Sequence, residues 1–183
     1  MVPGHRRLPR GAGELSPTID ARLTGAAERA AASLRARGAT VAVAEGSCGG
    51  LLSAALLAVP GASAYYAGGA VIYTVAATRA FVAGAVPAPA GLRGATEEFA
   101  LYLARSVRTR LDATWGVGEG GAAGPTGNRY GDPAGHAWVA VDGPAELTRH
   151  VLTGSADRVG NMTAFAVAAL DLLAEAVEQG RMA

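Results

Sequence analysis

Lysine is missing from this chain: all sixteen basic residues among its 183 are arginine. No lysine amine is therefore available as a catalytic base or a Schiff-base former. There is one cysteine, Cys48, which excludes an internal disulfide and a cysteine-rich metal site. Charged residues make up only 17% and the net charge is +1, with the arginines scattered. A nucleic-acid groove needs a concentrated basic face, so no nucleic-acid partner is expected. No apolar run stands out as membrane-spanning, and the basic start lacks an apolar signal core. The expectation is a cytoplasmic protein with no membrane partner, and nothing points to a cofactor or a metal.

What is present is a half-apolar chain of a length that suits one domain with a real core. Residues 1–16 mix Gly, Pro and Arg and read as a disordered N-terminal extension; residues 17–180 read as a single domain. Pro17 to Arg37 reads as a helix, with Ile19, Leu23, Ala26, Ala27, Ala30 and Leu34 on one face and Gly38 ending it. Val41 to Ala44 reads as a buried strand, and Leu51 to Val59 as a helix stopped by Pro60-Gly61. Ala70 to Tyr73 reads as a second buried strand, followed by a short helix capped by Thr74. A helix from Thr96 turns Phe99, Leu103, Val107 and Leu111 inward. Trp115 to Gly118 is a weak strand, and Gly120 to Gly135 a long loop of the kind that is usually functional. His136 to Val141 and Leu147 to Leu152 form a hairpin, and a helix runs from Asp157 to Glu178. Strands alternating with helices predict an α/β fold, with a mixed, mostly parallel sheet and one antiparallel hairpin.

The bend Glu45-Gly46-Ser47-Cys48-Gly49-Gly50 joins the first strand to its helix, the place where α/β domains build sites. The first N–H groups of that helix are expected to be unpaired and to face whatever lies over the bend. Cys48 has two readings: a thiolate nucleophile favoured by the helix dipole, or a small packing residue. Ser47 reads as a nucleophile or as a plain helix cap. His136 reads as a base facing the site or as a surface histidine, and His150 as solvent-facing. Glu45 reads as a ligand contact or as a tie holding the bend. Tyr73 reads as a phenol donor and stacking face or as strand-end packing. Arg129, in the long loop, reads as a phosphate contact or as a solvated arginine.

Several segments taken together resemble the CinA C-terminal domain family, which contains the nicotinamide mononucleotide deamidases. They are Leu34 to Gly50, Pro60 to Tyr73, Gly121-Ala122-Ala123-Gly124-Pro125, Pro133 to Trp138, and Asp157-Arg158 with the helix beyond. The resemblance covers about residues 21 to 176 in consistent order and implies a three-layer α/β/α domain, expected as a homo-oligomer. It also implies hydrolysis of a nicotinamide carboxamide to a carboxylate and ammonia, and adds Gly46, Gly49, Gly50, Tyr66, Thr78 and Gly124 to the ligand-contacting positions.

The departures fall where the family's chemistry should be. The family nucleophile, a serine, is Gly46 here; its lysine base is Thr78; a hydroxyl residue before the glycine loop is Gly120; and a second arginine of the last helix is Met162. A serine hydroxyl needs a base to attack, and this chain has neither the family's serine nor any lysine. The family's Ser-Lys mechanism cannot run. Two readings stay open. One is a hydrolase with altered residues, acting on an amide or other C–N bond of a nicotinamide-nucleotide-like small molecule. The other is an inactive relative that binds a nucleotide-like ligand or a protein partner. The first is preferred because the polar residues of the bend are shifted rather than erased.

Overall fold

Alternation decides which way each strand faces, and the sheet follows from it. The computed structural model describes residues 19–180. The expected N-terminal extension, together with Pro17 and Thr18, lies outside the described residues. In chain order the elements are α1 (Ala21–Ala36), β1 (Val41–Glu45), α2 (Leu51–Ala58), a 3-10 turn (Ala62–Ala64), β2 (Tyr66–Val71), α3 (Val75–Phe81), α4 (Glu97–Leu111), β3 (Trp115–Ala122), β4 (His136–Asp142), β5 (Leu147–Leu152) and α5 (Arg158–Gln179). The strand order is β2-β1-β3-β4-β5. β1 is parallel to β2 and β3, while β4 is antiparallel to both β3 and β5. Four strands thus share a direction and β4 alone opposes them. The antiparallel part is larger than one hairpin, because β3 and β4 also pair.

Val41, Val43, Trp115, Val117, Val139 and Val141 face a core closed by α1, α2 and α5. Ala42 and Ala44 face the opposite way, toward Tyr102, Leu103 and Val107 of α4. The result is three layers, helix–sheet–helix. α1 starts at Ala21 because Asp20 caps it, accepting from Arg22 N at 2.9 Å. Gly38, at φ +57°, turns the chain out of it.

Three expectations need correcting. β2 spans Tyr66–Val71 rather than Ala70 to Tyr73, and as an edge strand it alternates between half-buried and exposed. Tyr73 lies beyond its end and is 67% exposed. β3 continues through Ala122, so the loop begins later than Gly120. Leu111 is exposed instead of facing inward. In addition, α5 is long and apolar enough by composition to cross a membrane, although more than half of that stretch is buried within the fold.

β3 is full-length despite its glycines because α4 lies directly on them. A Cβ at Gly116 would sit 2.0 Å from the Ala104 carbonyl oxygen, and one at Gly118 2.0 Å from that of Ala100. Ala100 and Ala104 are themselves buried against this face. Close approach of helix to strand leaves room for no side chain at these positions. Gly118→Ala is therefore expected to destabilise the fold by about 3 kcal/mol in urea unfolding. Gly25→Ala, inside α1 with only the flexible Arg29 tip nearby, should instead stabilise by about 0.5–1 kcal/mol. Equal effects at the two sites would contradict the packing account.

Candidate functional site

Glu45 and Glu119 end up side by side because β1 and β3 are parallel and pair these two residues in register. Both carboxylates are fully buried. Buried carboxylates persist only when hydrogen-bonded, and the bend supplies the donors. Glu45 accepts from the backbone amides of Gly50 at 2.9 Å, Leu52 at 3.1 Å and Ser53 at 3.1 Å, and from Ser53 Oγ at 2.7 Å. Glu119 Oε2 accepts from the amides of Gly46 at 3.0 Å and Cys48 at 2.9 Å. Its Oε1 accepts from the Ser47 hydroxyl. Burial pushes the Glu119 carboxyl above its ordinary range; the hydrogen bonds from Ser47 and Cys48 oppose this, and the neighbouring charge of Glu45 adds to it.

These bonds overturn the expectation of free amides at the start of α2, because Glu45 has capped them from below. Glu45 is accordingly the tie that holds the bend, and it does not line the cavity described next. Gly49 and Gly50, at φ +65° and +103°, supply the left-handed turn that brings the amides round to Glu45, and they too stand apart from the cavity. Cys48 is also corrected. Its thiol is fully buried in the core, and burial, reinforced by both carboxylates, pushes it well above its ordinary range. The helix dipole does not overcome that desolvation, so Cys48 is a neutral packing residue.

Above the bend lies a chamber of about 610 Å³. Gly46, Ser47, Tyr73, Thr78 and Arg129 all line it, as does Gly120. A smaller chamber of about 220 Å³ adjoins it, lined by Gly124, Gly127 and Arg158 among others, and the two share Ser47, Tyr73, Gly121 and Asn128. Ile72, Leu92 and Phe99 give the larger chamber an apolar wall. Tyr130 stands at its rim with the Arg93 and Arg129 guanidinium groups 5.1 and 5.6 Å from its ring centre. Arg158 Nη1 donates to the Gly124 carbonyl at 2.6 Å, and Nη2 reaches the Tyr73 hydroxyl at 3.5 Å.

Two further expectations fail. His136 lines neither chamber: Nε2 is 2.8 Å from the Ala95 carbonyl oxygen and Nδ1 is 2.9 Å from His150 Nε2, which occupies both ring nitrogens. Tyr66 packs from the edge strand against the α1–α2–α5 core. The residues missed are Glu119, which fell between the strand read to Gly118 and the loop read from Gly120, and Phe99, Asn128 and Arg158. The signal for Arg158 was its place at the start of the last helix. Among the described residues no group of three or more His, Cys, Asp and Glu side chains is arranged to hold a metal. Replacing Glu45 by alanine would strand the buried Leu52 amide, the half-buried amides of Gly50 and Ser53, and the Ser53 hydroxyl. It should cost about 3 kcal/mol in chemical denaturation, and a loss under about 1 kcal/mol would show that the bend does not depend on this carboxylate.

The profile of the CinA C-terminal domain matches residues 23–177. A CinA-like protein of Acidobacterium capsulatum is 39% identical over 134 residues, covering 72% of this chain and 32% of that protein. A CinA-like protein of Anaeromyxobacter sp. is 40% identical over 144 residues, covering 78% of this chain and 35% of that protein. The chain thus spans about a third of the length of these relatives. Among solved structures, the competence/damage inducible protein CihA from Agrobacterium tumefaciens superposes with a TM-score of 0.79 at 28% identity, covering 88% of this chain and 99% of that one. A CinA superfamily protein from Klebsiella pneumoniae superposes with a TM-score of 0.78 at 26% identity, covering 86% and 98%. In sequence and in fold, the chain belongs to the CinA C-terminal domain family.

Proposed function

We propose that the paired chambers bind a nicotinamide-nucleotide-like small molecule and that the protein hydrolyses an amide or other C–N bond in it. The observation that carries this reading is convergence. Gly46, Thr78 and Gly120, the positions where this chain departs from the family's reactive residues, all line the larger chamber. The cavity has been kept while the old reactive groups have gone. Its volume lies within the range of small-molecule sites, about 300–1,000 Å³. The apolar wall with Phe99, and Tyr73 beside it, suits a flat heterocycle. Arg158 and the glycine-lined smaller chamber suit a phosphate, since guanidinium groups pair well with phosphate oxygens. Arg129 offers a second cation at the rim.

A second reading, a binding protein without turnover, draws support from one feature. The bend amides of Gly46 and Cys48 are already engaged by Glu119, so they are not free to stabilise a developing oxyanion. Ligand binding and ammonia release separate the two readings. Nicotinamide mononucleotide is expected to raise the unfolding midpoint, with a gain of about 2.7 kcal/mol at a hundredfold excess over its Kd. Arg158→Ala should weaken that binding about tenfold. Absence of stabilisation would overturn both readings. Stabilisation without any released ammonia or other cleavage product would favour the binding protein.

The chamber can also be asked to regain the family's chemistry. A Cβ at Gly46 would meet the Glu119 carbonyl oxygen at 3.2 Å, and its φ is not left-handed, so serine fits with a small shift. The double variant Gly46→Ser/Thr78→Lys is expected to release ammonia from nicotinamide mononucleotide at least about tenfold faster than either single variant, because hydroxyl and base act as a unit. Additive or absent gains in a folded double variant would show that the chamber does not hold the family's reacting geometry.

A further inference from the structure

We propose that Ser47 and Glu119 form a nucleophile–base pair at the junction of the two chambers, one residue along from the family's nucleophile position and without an amine. The identity of the substrate rests on the nucleotide reading above; the reactivity of the pair does not.

The geometry separates the two carboxylate oxygens of Glu119 by task. Oε2 is held by the amides of Gly46 and Cys48 at 3.0 and 2.9 Å. Oε1 faces the Ser47 hydroxyl and accepts from it. Backbone amides cannot rotate away, so the carboxylate is fixed with one oxygen aimed at one hydroxyl. This is the orientation a general base needs. Ser47 in turn lines both chambers while its hydroxyl is held by Glu119, and only 8% of the residue is exposed. A purely structural serine would have its polar atom and its open side in separate places. Here the oxygen that Glu119 holds belongs to the side chain that lines the chambers. Burial beside Glu45 raises the proton affinity of Glu119, which suits a group that must take a proton from an alcohol.

On a carboxamide the step balances as follows. Ser47 Oγ bonds to the carbonyl carbon while its proton passes to Glu119 Oε1. The C–N bond breaks and the leaving nitrogen takes that proton, releasing ammonia. Water then attacks the ester, again giving its proton to Glu119. The ester bond breaks and the proton returns to Ser47 Oγ, leaving a carboxylic acid that ionises to the carboxylate, its proton taken up by the released ammonia.

The test uses a fluorophosphonate, whose phosphorus bonds to an activated serine oxygen with loss of fluoride. Intact-mass analysis of the full chain is expected to show one adduct, and peptide mapping should place it on Ser47. Ser47→Ala should abolish it, and Glu119→Gln should slow it at least about tenfold. The wild-type labelling rate should fall as pH drops, beginning above the ordinary carboxylate range, as Glu119 takes up its proton. Glu119→Asp, which withdraws the carboxylate by one methylene, should slow labelling yet keep the pH dependence. A structural hydrogen bond would produce no such profile. No adduct on the folded wild-type protein, or a rate independent of pH and unchanged in both Glu119 variants, would overturn the pair. An adduct that nicotinamide mononucleotide does not block would leave the pair standing and remove the nucleotide from its site. Stabilisation by the nucleotide with no adduct would do the reverse.

Discussion

Two carboxylates without access to water lie next to each other at the ends of β1 and β3, and the bend above them is arranged to satisfy both. Glu45 takes four donors and Glu119 three, all from residues 46–53. Like charges in low dielectric repel, and each loses its hydration on burial. The arrangement persists because backbone amides, which need acceptors in any case, are wrapped around the oxygens. That requirement explains the left-handed glycines at 49 and 50, the start of α2 and the orientation of Ser47. It also makes the bend rigid, which is what a site requires of its scaffold.

On the other face of the sheet a different constraint acts. α4 lies so close to β3 that Gly116 and Gly118 admit no side chain, and two residues on a Cβ at Gly120 would meet the Phe99 ring at 3.0 Å. The same row continues into the wall of the larger chamber, which Gly120 and Phe99 both line. Packing and cavity are consecutive parts of one glycine row.

Much of this was legible from the residues. Apolar periodicity and the caps Thr74 and Thr96 located the helices, but the first was read from Pro17 and the cap at Asp20, which starts it at Ala21, was overlooked. The bend was legible as a turn of small residues between a strand and a helix. Glu119 was not, because the strand read from Trp115 stopped at Gly118, and the glycines that follow extend it to Ala122 only with α4 packed along it. Tertiary packing outweighed local propensity there. Cys48 and His136 went astray for a related reason. Sequence spacing does not say which side of a bend or strand turns inward, and both residues turn away from the cavity. The fates of Glu45 and Ser47 differ by one carboxylate that the sequence left unremarked.

The central claim is that the space over the bend receives a phosphorylated nicotinamide-like molecule. A crystal structure of the protein grown with nicotinamide mononucleotide tests it most directly. The account predicts the ring in the chamber bounded by Gly46, Thr78 and Phe99, the carboxamide carbon within reach of Ser47 Oγ, and the phosphate beside Arg158. A nucleotide bound elsewhere, or a chamber closed by its own side chains and empty of ligand, would contradict it.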